Sequence, residues 1–122
     1  MFVGRVIGAT VSTVKDERLV GWKLLVVQPL EMTVSSDLSA GVSRLVLRAA
    51  ENPVVAIDSV GAGAGELVLV TSGSSARASA MPARPPVDAS IVGIVDTLDV
   101  PGAVGVSGAT GASSDENRSG AE

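Results

Sequence analysis

The apolar residues of this chain come in short, valine-rich runs, each interrupted by glycine or proline. No apolar stretch sustains a 3.6-residue period long enough for a packed helix. β-Branched side chains suit a pleated, half-buried surface. Runs of this length with such punctuation predict short strands and tight turns. The aromatic content is only 2%, Phe2 and Trp22, so valine, leucine, isoleucine and alanine must fill the core. With 122 residues, one domain is the default.

Residues 2–13 form the first expected strand. Val3, Ile7, Ala9 and Val11 would share one face by two-residue alternation. Gly4 and Gly8 fall on the other, where glycine marks a bulge or bend. Residues 15–21 are a charged connection. Residues 22–28 predict a second strand that stops at Pro29. Residues 31–41, rich in serine, read as a surface loop, and residues 42–48 alternate as a strand. The Pro53 break leads to a strand over 54–57, a glycine-rich turn over 58–65 and a strand over 66–70. Residues 73–80, rich in serine and alanine, suit one or two helical turns. Pro82, Pro85 and Pro86 mark an extended connection. A last strand covers 89–100. Residues 103–122, dominated by glycine, alanine and serine, read as a flexible tail, since they offer little apolar surface to offset ordering. Together these elements predict an all-β domain over residues 1–102, a small barrel or sandwich.

Composition excludes several chemistries. There is no cysteine and no histidine. Disulfides, thiolate nucleophiles, Cys/His zinc sites and a Ser-His-Asp triad are therefore out of reach. A carboxylate enzyme using Asp58, Glu66, Asp88 and Asp96 is the residual catalytic reading, and paired acids need a defined separation across a cleft. The formal net charge of −4, with no basic run, argues against nucleic acid and anionic lipid as partners. No apolar stretch approaches the roughly 18 residues of a membrane span. With no signal-peptide pattern at the N-terminus, the expectation is a cytoplasmic protein.

The segment Val60-Gly61-Ala62-Gly63-Ala64-Gly65-Glu66 invites a nucleotide-site reading. A dinucleotide fingerprint needs a helix after the glycines, and a P-loop needs Gly-Lys-Ser/Thr. Here Leu67-Val68-Leu69-Val70 follows, a strand pattern, and no lysine occurs after Lys23. A tight strand connection fits the residues better. Its glycines permit positive φ and close approach of another backbone.

The stretch from Asp58 to Arg77, Asp-Ser-Val-Gly-Ala-Gly-Ala-Gly-Glu-Leu-Val-Leu-Val-Thr-Ser-Gly-Ser-Ser-Ala-Arg, resembles the signature of the EutN/CcmL family, the pentameric vertex proteins of bacterial microcompartments. Residues 11–16, Gly21-Trp-Lys-Leu-Leu-Val-Val-Gln-Pro-Leu30 and Pro86-Val-Asp-Ala-Ser-Ile-Val-Gly-Ile-Val-Asp96 resemble other strands of that family in the same order. Residues 31–52 stand out as a divergent insert or hairpin. The resemblance implies a small five-stranded, OB-like β-barrel with one short helix, assembling as a cyclic pentamer. It implies a structural, non-enzymatic role at the vertices of a polyhedral shell, in contact with hexameric shell proteins and without a cofactor. It also nominates Gly61, Ala62, Gly63, Gly65, Glu66, Gly73, Ser74, Ser75 and Arg77 as subunit-contact or fivefold-axis residues, with Glu66 and Arg77 as a possible ion pair. The alternative is an OB-like module for single-stranded nucleic acid or another ligand. Such modules stack bases on aromatics in a basic groove, and this chain has little of either.

Overall fold

The computed structural model describes residues 1–11, 17–37, 39, 41–73, 88–100 and 103–107. Its strands are β1 (Phe2–Ala9), β2 (Lys23–Asp37), β3 (Val42–Ala49), β4 (Val54–Asp58), β5 (Leu67–Ser72), β6 (Ala89–Ile94), β7 (Thr97–Leu98) and β8 (Val106–Ser107). β1 pairs with β5, β5 with β6, β6 with β4, β4 with β2, and β2 returns to β1. Five strands therefore close a barrel, as the sequence leads one to expect. The β4–β6 pairing is parallel and the other four are antiparallel. Closure removes the open edges that a flat five-stranded sheet would leave.

β2 is long because it serves two ladders in succession. Lys23 to Val27 pair with β4, and Leu30 to Asp37 pair with β3. Pro29 does not stop the strand. Its missing N–H falls where the β4 ladder has ended and the β3 ladder begins. The amide of Ala50 donates to Pro29 O at 3.1 Å, and the Gln28 side chain donates to Glu51 O at 2.6 Å, fastening the crossover between β3 and β4. On the other edge Pro29 faces Gly4 of β1. A Cβ at Gly4 would run into Val27 Cγ1 and come within 3.0 Å of Gln28 O, so the approach of these strands requires glycine there.

The loop expected over 31–41 is instead largely strand. Glu31, Thr33 and Ser35 alternate with Met32 and Val34 in a two-residue period, with both faces exposed in the single chain. Serine content hid that period. The first strand also departs from simple alternation. Its register against β2 shifts between Val6 and Gly8, the bulge that Gly8 signals. Val3 and Val6 are buried, whereas Ile7 and Val11 are exposed. The last long strand ends at Ile94 and not at 100, and the Val95 amide still donates to Leu67 O, in register on β5, at 2.9 Å.

Two apolar clusters hold the molecule. Val6, Leu25, Val27, Ala56, Val68, Val70 and Ile91 fill the barrel, with Ala62 and Ala89 beside them. Val3, Leu47, Leu67 and Val95 form a second cluster, to which β3 contributes Leu47. The helical turns expected over 73–80 lie almost wholly outside the described residues. Among the described residues the helical element is one 3-10 turn, Glu17–Leu19. Residues 103–107, which the composition assigned to the tail, pair with the body of the domain through β7 and β3.

Candidate functional site: the glycine loop

The loop of residues 59–66 joins β4 to β5 and is organised by the last residue of β4. Asp58 sits only 8% exposed, and its carboxylate accepts three main-chain amides. Val60 N and Gly61 N donate to Oδ1, each at 3.1 Å, and Ala62 N donates to Oδ2 at 2.9 Å. An aspartate that bonds amides just ahead of it nucleates a tight turn. Gly61 and Gly65 then take φ of 80° and 88°, the left-handed region that disfavours any Cβ.

Side chains from β1 and β2 fasten the same loop. Lys23 Nζ donates to Ala62 O at 2.8 Å and lies 3.6 Å from Asp58 Oδ2. Arg5 Nη1 donates to Gly65 O at 2.8 Å. Main-chain bonds from Val6 N to Glu66 O (3.0 Å) and from Gly65 N to Val6 O (2.8 Å) extend the β1 edge into the loop. Ser59 Oγ donates to Ile91 O at 2.7 Å, tying the loop to β6. Ala62 is fully buried and plugs the barrel cluster.

Glu66 is half-buried and closes the other end. Its Oε1 accepts the Gly63 amide at 2.6 Å, and its own amide donates to Gly63 O at 3.2 Å. Both loop carboxylates thus act as acceptors for their own main chain. Among the described residues no group of three acidic, histidine or cysteine side chains comes together.

This geometry bears on the nucleotide reading. A row of amides can cradle a phosphate. Here the amides of residues 60–62 already hold the Asp58 carboxylate, and a strand follows the glycines. The turn is a strand connection with its own internal anion.

Of the nominated residues, the structure brings Gly61, Ala62, Gly63, Gly65 and Glu66 into one loop. Gly61 lies on the surface, and Gly63, Gly65 and Glu66 are partly covered. Gly73 caps β5 with φ of 70°, its amide donating to Asp88 O at 2.9 Å. Ser74, Ser75 and Arg77 lie outside the described residues, and so does the pairing of Glu66 with Arg77. Sequence reasoning counted Asp58 among the acids of a residual catalytic reading, left it out of the nominated contact residues, and missed Lys23 and Arg5. Asp58 carried a local signal, an aspartate followed three residues later by glycine. Lys23 and Arg5 carried none, since they reach the loop only through the barrel.

The family model described as ethanolamine utilisation protein EutN/carboxysome matches residues 1–96. The chain is 44% identical over 99 residues to the bacterial microcompartment shell vertex protein GrpN of Rhodospirillum rubrum, covering 81% of this chain and 97% of that one. It is 46% identical over 98 residues to the shell vertex protein PduN of Salmonella typhimurium, covering 80% and 98%. Among solved structures, the GrpN pentameric microcompartment shell protein of Rhodospirillum rubrum superposes with a TM-score of 0.61 at 41% identity, over 82% of this chain and all of that chain.

Proposed function

Because this chain belongs to the EutN/CcmL family, we propose that it is a structural vertex protein of a bacterial microcompartment shell. Five copies close into a ring, and the ring caps a vertex of the polyhedron. The observation that carries this reading is the family match across the entire closed barrel, residues 1–96. Flat hexameric tiles cannot close a shell without such corners, so hexameric shell proteins are its partners. Its place is the shell of a compartment in the bacterial cytoplasm. A cyclic ring uses two different surfaces on each copy, one complementary to the other.

The role needs no catalytic step, and the loop fits that. Its carboxylates shape backbone, and Asp58 and Glu66 between them hold the amides of residues 60–63. The loop of residues 61–66 and the turn at Gly73, with Ser74, Ser75 and Arg77 beyond it, form the proposed subunit contact or fivefold lining. A loop fixed by Asp58, Lys23 and Arg5 presents the same backbone shape in every copy. Such pre-organisation lowers the ordering cost of association.

Native mass spectrometry tests the reading directly. A closed ring of five 12.1 kDa chains is expected. A monomer persisting through the micromolar range would overturn it. Co-expression with hexameric shell proteins tests the vertex role. Closed particles should form only when this chain is present. The nucleic-acid alternative predicts a salt-sensitive oligonucleotide complex; with a net charge of −4, none is expected.

A further inference from the structure

β3 is the end strand of the six-stranded sheet. It belongs to the hairpin that extends beyond the barrel, and its eight residues, Val-Ser-Arg-Leu-Val-Leu-Arg-Ala, are mostly apolar. An end strand of that length presents a row of main-chain donors and acceptors, which templates pairing with another chain. Arg44 and Arg48 on its exposed face are a partial safeguard.

Residues 103–107 lie against this edge. Val104 N donates to Ser43 O at 2.8 Å, and Leu45 N donates to Val104 O at 2.9 Å. The two bonds straddle Arg44, giving a parallel bridge between Arg44 and Val104. The segment is held from its other side too. β8 pairs with β7, with Thr97 opposite Ser107 and Leu98 opposite Val106. Leu98 packs on the cluster of Val3, Leu47, Leu67 and Val95, so the base of this strap is anchored in apolar contact. Gly105 permits the closure. A Cβ there would run into Leu98 O and sit 2.6 Å from Asp99 Oδ1. The family model ends at residue 96, ahead of residues 103–107.

We propose that the outer edge of β3 is a strand-addition surface, and that residues 103–107 of the same chain are its occupant. The strap closes in cis the edge through which a second copy would otherwise add a strand. Contacts between copies are thereby confined to surfaces other than this edge. The cis bridge is a property of the single chain and holds whether or not five copies form a ring.

A cysteine pair tests the occupant, because the chain has no cysteine of its own. Arg44→Cys with Val104→Cys places two thiols on directly paired, exposed positions. Treated with oxidised glutathione, the pair passes two electrons to the added disulfide and closes its own S–S bond. An intrachain bond, seen as unchanged chain mass class on a non-reducing gel and loss of both free thiols, is expected. A ladder of linked chains would show strand exchange between copies and overturn closure in cis. Thiols that stay free would overturn the pairing.

The function of the edge is tested by a chain ending at Val100, which keeps every barrel strand. Amide exchange at Leu45 should rise at least tenfold. The shortened protein should form assemblies larger than the parent by sedimentation velocity, growing with concentration. Gly105→Val in the full-length chain, which evicts the strap without shortening it, should do the same. If both variants keep the parent's Leu45 protection and assembly size, the proposal fails. Loss of the native circular dichroism in the shortened chain leaves Gly105→Val to decide.

Discussion

Asp58 Oδ2 accepts the amide of Ala62, four residues further on, at 2.9 Å, while Oδ1 accepts those of Val60 and Gly61. One buried carboxylate therefore fixes half of the glycine loop and sets Ala62 into the barrel core. Asp58→Ala removes the acceptor of three amides at once. The buried Ala62 amide left unpaired costs about 1–3 kcal/mol, while the part-buried amides of Val60 and Gly61 can turn to water and lose less. The expected loss is about 3 kcal/mol in urea unfolding at fixed protomer concentration. Asp58→Asn retains one acceptor oxygen and should lose roughly half as much on the same grounds. A loss below about 0.5 kcal/mol for the alanine variant, the range of ordinary surface changes, would mean the loop holds its shape without Asp58.

The two glycines of β1 should respond unequally to the same substitution. Gly4→Ala drives a methyl group into Val27 Cγ1 and Gln28 O, between β1 and β2. Both neighbours belong to the barrel wall, so the strands must separate, at a cost of about 1–3 kcal/mol. Gly8→Ala meets nothing within 4 Å at the bulge. It should change stability by less than about 0.5 kcal/mol. Paired urea melts of the two variants decide the matter, and equal losses would contradict the close approach at Gly4.

The barrel was legible because its evidence is local and repeated. Valine-rich runs named β4, β5 and β6, and Gly8 announced its bulge. What escaped was set by partners distant in sequence. Pro29 read as a stop because proline lacks an N–H, yet it sits where β2 exchanges β4 for β3. Glu31 to Asp37 read as loop because serine is common there, while the strand is defined by its pairing with β3. At the glycine loop the glycines and Asp58 were visible in the chain. Arg5 and Lys23 join them across 60 and 39 residues, to Gly65 and Ala62, and no local pattern encodes that. The strap of residues 103–107 was read as tail because its composition lacks bulk. It is held by backbone bonds and by Leu98, which composition does not count.

Ile91 tests the barrel core. It is fully buried at the parallel junction of β4 and β6, opposite Asp58. Ile91→Val removes one methylene and should cost about 0.5–1.5 kcal/mol, and Ile91→Ala about 2–5 kcal/mol. Since Ile91 O also accepts the Ser59 hydroxyl at 2.7 Å, the cavity lies directly behind the glycine loop. Amide exchange at residues 60–62 should therefore rise in the alanine variant more than at Leu45, which lies on β3. Equal changes at both places would mean that the loop and the core do not share this junction.

Ala64 separates the loop's role in assembly from its role in folding. Its side chain is exposed in the single chain, between the two carboxylate-held ends of the loop. Ala64→Arg should leave the urea midpoint of the dissociated chain within ordinary surface variation. If the loop forms the subunit contact, a guanidinium there must be desolvated or must push the neighbour away, and either weakens the ring. A tenfold or greater weakening corresponds to about 1.4 kcal/mol or more. Native mass spectrometry across a dilution series would show the ring giving way to smaller species at concentrations where the parent stays closed. A ring as tight as the parent's would place the subunit contact elsewhere on the barrel, while leaving the family membership and the pentamer untouched.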